Sequence, residues 1–268
     1  MKGMDWAIPQ SLWYSLRYAG HPAGEQRLTV EPRRDGLRLT LEANVELPPP
    51  KTRQRWESEV DPLGLPRRYR ERVEGNGARV MEVDFSREDG LVTVSQGKDD
   101  FAIPYLAEMY DPLSLILAVG RLKLEVGEVE KFALVGGRVY VERLPDQTLE
   151  VDAAGEKTLR NMRVYRLRPG LSLLYFDEDG YPVRLTQKVG EHVFEAELTQ
   201  VQRLEAGQRL PPMQGRQEPA QRSNAQRNGH PRIVAGEPSK PRVVSGEPPK
   251  EREGGSSSRR RRRRRRYS

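Results

Sequence analysis

The chain has 268 residues, a formal charge of +7 and no cysteine, which excludes disulfides, thiolate metal centres and cysteine nucleophiles together. The charge is split: residues 206–268 hold 17 Lys and Arg against 5 Glu, a net of +12, which leaves residues 1–205 with 29 basic and 34 acidic residues, a net of −5. An acidic body therefore precedes a basic tail, so non-specific nucleic-acid binding is expected of the tail and not of the body.

The start, Met1-Lys2-Gly3-Met4-Asp5-Trp6-Ala7-Ile8-Pro9, has neither the apolar core nor the small-residue cleavage site of a secretory signal. No run of 18 apolar residues follows, so no membrane-spanning helix is predicted. These features predict a cytoplasmic protein. Residues 1–205 are long enough to bury a full core.

Strands are predicted at 12–18 and 25–31. The clearest is Leu37 to Leu47, where Leu37, Leu39, Leu41, Ala43, Val45 and Leu47 alternate with Arg38, Thr40, Glu42, Asn44 and Glu46. Side chains alternate faces along a strand, so one face is buried and the other wet. Pro48-Pro49-Pro50 is expected to break the sheet there. Further strands are predicted at 54–60 and 67–74, at Met81, Val83 and Phe85, and at 91–96. Gly75-Asn76-Gly77 and Glu88-Asp89-Gly90 supply turns between them.

One helix interrupts the strands. Asp111 caps it, Pro112 suits its first turn, and Gly120 ends it. Leu113, Leu115, Ile116, Leu117 and Val119 make it apolar nearly all round, so it is expected inside the curve of the sheet or plugging its open end. Just before it lie Phe101, Ile103, Tyr105, Leu106 and Met109. With Leu113 they are the candidate lining of an apolar pocket at the mouth of a half-barrel, or else part of a filled core. More strands follow at 129–135, 138–144, 147–152, 161–168, 171–177, 181–189 and 192–202. Gly136-Gly137 and Asp177-Glu178-Asp179-Gly180 supply turns. Consecutive hairpins at this spacing predict an all-β fold, an antiparallel meander forming an open or half-closed barrel, with one buried short helix at 111–120.

The body resembles a bacterial family known as domain of unknown function 3108, over roughly residues 12–203. The resemblance rests on four pieces in order. They are the Tyr14-Ser15-Leu16-Arg17-Tyr18-Ala19-Gly20-His21-Pro22-Ala23-Gly24 hairpin, Asp61-Pro62-Leu63-Gly64-Leu65-Pro66-Arg67-Arg68-Tyr69, Asp111-Pro112-Leu113-Ser114-Leu115 and Gly180-Tyr181-Pro182-Val183-Arg184-Leu185. It implies a single all-β domain, similar in outline to the open barrels that carry lipids or lipoproteins in bacterial envelopes. It implies no established chemistry, and it makes the cell envelope the alternative location. The chain departs from the family by lacking a visible signal and by adding an arginine tail.

No enzymatic activity, metal or cofactor is predicted. His21 and His192 read as hairpin residues and His230 lies in the tail; none sits in a catalytic motif. Asp177-Glu178-Asp179-Gly180 lacks the further oxygens and closing glutamate of a calcium loop. Arg68, Arg70 and Arg72 share one strand face, which reads as a solvated face balanced by acidic neighbours.

From Ala206 onward the hydrophobic pattern stops, and Pro, Gly, Gln, Arg, Ser and Glu predominate. Such a composition cannot offset chain entropy by burial, so residues 206–268 are predicted to be a disordered linker. Residues 231–240 and 241–250 are a tandem repeat, identical at seven of ten positions, which reads as a spacer or, alternatively, as a duplicated short motif whose Ile233-Val234 and Val243-Val244 could add a strand to a partner's sheet edge. Gly254-Gly255-Ser256-Ser257-Ser258 then leads into Arg259, Arg260, Arg261, Arg262, Arg263, Arg264, Arg265 and Arg266. Those eight guanidinium groups are the candidate nucleic-acid site. They match phosphate geometry and read no sequence, so RNA or another polyanion is the expected partner. For the body, the expected partner is a protein or an apolar ligand.

Overall fold

The computed structural model describes residues 6–213 except 76, 106, 154, 155, 190, 206, 207, 209 and 212. The chain divides into Met1–Glu218 and Pro219–Ser268, and every described residue belongs to the first unit. The tail's repeat and arginine run lie outside the described residues.

Alternation along the sequence becomes strand wherever it is sustained. The strands are β1 (Gln10–Tyr18), β2 (His21–Arg33), β3 (Gly36–Val45), β4 (Thr52–Val60), β5 (Pro66–Gly75), β6 (Arg79–Ser86), β7 (Leu91–Gln96), β8 (Asp99–Pro104) and β9 (Met109–Tyr110). Helix α1 (Pro112–Gly120) follows. Then come β10 (Val129–Leu134), β11 (Gly137–Ala153), β12 (Glu156–Arg168), β13 (Ser172–Phe176), β14 (Pro182–Val189) and β15 (His192–Arg203). In β3, Leu39, Leu41 and Ala43 are buried, as their two-residue spacing requires.

The fifteen described strands form one sheet in the order β8-β7-β6-β5-β4-β3-β2-β1-β15-β14-β13-β12-β11-β10-β9. The last strand returns to pair with the first, so β1 and β15 lie side by side in the middle. The two sheet edges, β8 and β9, are consecutive in sequence and are not paired with each other. The fold is thus all-β, a meander left unclosed by hydrogen bonds, with one short helix. β9 pairs with β10 in parallel; the other pairings are antiparallel.

Two details differ from the expectation. Pro48, Pro49 and Pro50 do not break the sheet. They sit in the loop between β3 and β4, which pair along their whole length. The runs expected at 138–144 and 147–152 are a single strand, β11, with a register shift between Leu144 and Gln147. A bulge interrupts the alternation there without ending the ladder. Packing also continues past residue 205: an Arg27 Nη2 donates to the Pro211 carbonyl at 2.8 Å, and Met213 is buried.

Helix α1 is locally well specified. The Asp111 Oδ1 accepts from the backbone N–H of Leu113 and Ser114 at 2.8 and 2.9 Å, while the Asp111 N–H donates to Ser114 Oγ at 2.9 Å. This is a reciprocal cap, and Pro112 takes a position whose N–H has no helical partner. Leu113 and Leu117 pack among Leu12, Leu28 and Leu39 from one half of the sheet. Leu115 and Val119 pack among Val141, Tyr165 and Phe176 from the other. A nine-residue helix that touches both halves requires the sheet to curl around it. Each such side chain contributes about 1.5–3 kcal/mol by burial.

Asp111 is itself buried, and its second carboxylate oxygen accepts from Ser58 Oγ at 2.5 Å. Burial raises its carboxyl above the ordinary range, against the lowering effect of the Ser58 and Ser114 hydrogen bonds. The folded state therefore holds this proton more tightly than the unfolded chain does. The resulting stabilisation is complete below the ordinary Asp pKa of about 3.9 and is lost as pH rises through the raised folded value. Asn caps as well as Asp but does not titrate, so Asp111→Asn should flatten the stability profile above about pH 4. Asp111→Ala should cost about 1–2 kcal/mol by losing the cap. Urea denaturation of both variants across pH 4 to 8 measures this. An unchanged slope in Asp111→Asn contradicts the assignment.

Candidate ligand-binding cleft

Because the sheet is not closed, a seam runs between β8 and the β9–β10 pair. A cleft of about 980 Å³ opens along it. Phe101 and Ile103 from β8 form one wall, and Met109 and Tyr110 from β9 with Phe132 and Leu134 from β10 form the other. Phe101 stands opposite Val94, and Ile103 opposite Val92, so both point to the concave face that carries the core. Phe101 is nevertheless 49% exposed, because the cleft lies beside it and no further strand does. Across the seam Phe132 is buried, with the Tyr110 ring edge-on at 5.2 Å.

Charge at the cleft is balanced. Glu108 and Glu130 line it together with Lys131 and Arg138, so neither sign dominates. The Tyr110 hydroxyl donates to Glu108 at 3.4 Å; burial first, and then the neighbouring carboxylate, push its pKa up to about 12. The phenol is thus a neutral donor at physiological pH. The volume lies at the upper end of the roughly 300–1,000 Å³ usual for small-molecule sites. The lining is mainly apolar, its charges balance, and the opening lies between two strand edges.

Of the residues expected to line a pocket, Phe101, Ile103 and Met109 do so. Tyr105 instead packs, half-buried, with the core cluster of Val83 and Phe85. Leu113 is 1% exposed and belongs to the core between α1 and β1–β3, because the helix turns it away from the seam. Leu106 lies outside the described residues. The rest of the second wall, Phe132 to Arg138, was not expected from the sequence. It reaches the cleft through the β9–β10 pairing, which has no local sequence signal.

The other residues singled out in the sequence take part in ion pairs, turns and packing. Arg68 pairs with Glu82 and Asp84, and Arg70 with Glu82, across β5 and β6. Pairs this exposed contribute about 0–1 kcal/mol each. Asp177 caps the β13–β14 turn, accepting from the Tyr181 N–H at 2.8 Å, and Arg160 approaches it at 3.3 Å. His21 and His192 begin β2 and β15, and His192 stacks edge-on against Tyr18 at 5.3 Å. The buried Asp61 has its charge opposed by burial but held by Arg87 and by backbone N–H groups of Leu65 and Leu63, which together keep its carboxyl below the usual range. No group of three or more His, Asp or Glu among the described residues is placed to hold a metal ion. No helix among them is long and apolar enough to cross a membrane.

The sequence has a counterpart among known families. A family model described as "Protein of unknown function (DUF3108)" matches residues 14–199, from β1 into β15. The chain belongs to this family. The match takes in β2 to β14 of the DUF3108 body, most of β1 and β15 and both walls of the cleft, and it ends before the basic tail. Among solved structures, the DUF3108 body is similar to a β-barrel-like protein of domain of unknown function DUF1849 from Brucella abortus. Sequence identity is 12% and the TM-score 0.46, with 74% of this chain and 98% of that one covered. No curated protein sequence matches the chain.

Proposed function

We propose that the protein is a non-catalytic binding protein. Its DUF3108 body takes an elongated apolar partner in the seam cleft, and its basic tail holds it to RNA in the cytoplasm. The observation that carries the body's role is Phe101: a large aromatic on the core face of an edge strand, left 49% exposed beside an open cleft. Core-facing aromatics are ordinarily covered, and burying this one on a partner would contribute about 25 cal/mol per Å² of apolar surface. Balanced charge at the cleft supports a neutral apolar partner over an ionic one. The buried carboxylates Asp61, Asp111 and Asp177 are each occupied with turns, caps or ion pairs, which supports a structural role for them over general acid–base chemistry.

A fluorescent polyene fatty acid, cis-parinaric acid, tests the cleft. Full-length protein should bind it saturably, and Phe101→Asp should weaken binding at least tenfold while leaving the circular dichroism spectrum unchanged. Equal binding by the variant and the parent protein rules out the cleft as the site.

A further inference from the structure

The seam offers backbone hydrogen-bonding groups as well as apolar side chains. The Tyr105 N–H donates to the Gly90 carbonyl at 2.8 Å, toward β7. Backbone groups alternate sides along a strand, so those of Phe101 and Ile103 also face β7. Those of Asp100 and Ala102 then face the seam, together with the carbonyl of Pro104. β8 is a sheet edge, so among the described residues these groups have no strand partner.

The opposite edge can be traced in the same way. The Arg143 N–H donates to the Glu128 carbonyl at 2.9 Å, so Glu130 and Phe132 face β11, and Val129 and Lys131 face the seam. β9 covers this edge only at Ala133 and Leu134. Among the described residues, no strand pairs with the seam side of Val129 or Lys131. Two uncovered strand edges therefore border one apolar cleft.

We propose that the partner taken in the cleft is a polypeptide segment that adds as a strand to β8; this rests on the cleft being the binding site. An alkyl chain could cover Phe101 and Ile103, but it cannot satisfy the N–H and C=O groups of Asp100 and Ala102. An extended peptide does both, because its backbone pairs with the edge while alternate side chains enter the cleft. The β10 edge already accepts a strand of this kind, since β9 lies on it in parallel. The length of β8, Asp99–Pro104, sets a segment of about six residues, apolar at every second position. Asp99 and Asp100 place two carboxylates at one end of the edge. They favour a segment flanked by basic residues and disfavour pairing with a second, identical edge.

The test uses full-length protein and a fluorescein-labelled peptide of six alternating valines and threonines with two lysines at each end. A second peptide carries N-methyl groups on alternate amides, which deletes the donors along one edge. The parent peptide should bind with 1:1 stoichiometry, and the methylated one at least tenfold more weakly. Ala102→Pro removes one seam-facing N–H and no bond to β7, and its side chain stands on the convex face opposite Thr93. It should weaken the peptide about tenfold and leave cis-parinaric acid binding unchanged. Equal binding of the two peptides, or of Ala102→Pro and the parent protein, overturns strand addition. So does a dimer in sedimentation that Ala102→Pro dissolves, because a second copy would then occupy the edge. If the fatty acid binds in a Phe101-dependent way and the peptide does not, strand addition falls and the cleft reading stands. If neither probe binds, both fall.

Discussion

Leu117→Ala is expected to lower the stability of the body by about 2–5 kcal/mol, the usual cost of emptying a buried leucine site. Leu117 is 1% exposed and packs with residues from β1, β2 and β3. A Cβ added at Gly64 would approach its Cδ2 at 3.3 Å, so the Asp61–Leu65 turn closes directly over it. The helix is short and therefore has little stability of its own. Its place depends on being gripped from both sides, by Leu113 and Leu117 toward one half of the sheet and by Leu115 and Val119 toward the other. Loosening one grip should loosen the curl of the sheet, so the transition should broaden as well as shift. Leu63, 77% exposed in the same turn, is the control; Leu63→Ala should change stability by less than about 0.5 kcal/mol. Urea denaturation followed by tryptophan fluorescence reads both. A loss below about 1 kcal/mol in Leu117→Ala would mean that α1 does not bridge the halves.

Much of this architecture was legible in the sequence because hairpins are local. The two-residue period of Leu37 to Leu47 and the turn residues at Gly90, Gly136 and Gly180 fix neighbouring strands without distant information. The helix was legible for a similar reason: Asp111, Pro112 and Ser114 satisfy its first turn among themselves. Long-range pairing left no such mark. Nothing in Gln10–Tyr18 announces that its second neighbour is His192–Arg203, or that β9 leads the chain onto β10. One wall of the cleft, with Met109 of the other, was therefore visible as the apolar run from Phe101 to Met109, and the rest was not. β8 leaves little strand signal in the sequence, because Ala102 and Pro104 supply no polar alternation with Phe101 and Ile103. That unmarked strand is a sheet edge, where packing constrains side chains least.

Deleting Arg259 to Ser268 is expected to abolish most binding to single-stranded RNA while leaving the thermal transition of the body unchanged. The motive is the run of eight arginines behind a Gly/Ser segment, on a chain whose first 205 residues carry a net of −5. Six to eight phosphate contacts should give a slope of log K against log salt of about −4 to −6, at about −0.7 per contact. Affinity should hardly depend on base sequence, because phosphate contacts position a protein without reading bases. Tyr267 is the one aromatic beside the run, so stacking adds little discrimination. The body's negative charge should oppose binding at low salt, so the isolated tail peptide should bind RNA more tightly than the full chain. That gap should close as salt screens both the tail's attraction to RNA and the body's opposing charge, over a Debye length of about 10 Å at 0.1 M. Fluorescence anisotropy with homopolymeric and mixed-sequence RNA, from 50 to 300 mM salt, measures slope and sequence dependence together. Equal binding by the full chain and the deletion variant, or a slope near zero, would remove RNA as the tail's partner. Stronger retention on vesicles containing anionic lipid than on RNA at the same salt would move the tail to a membrane surface instead.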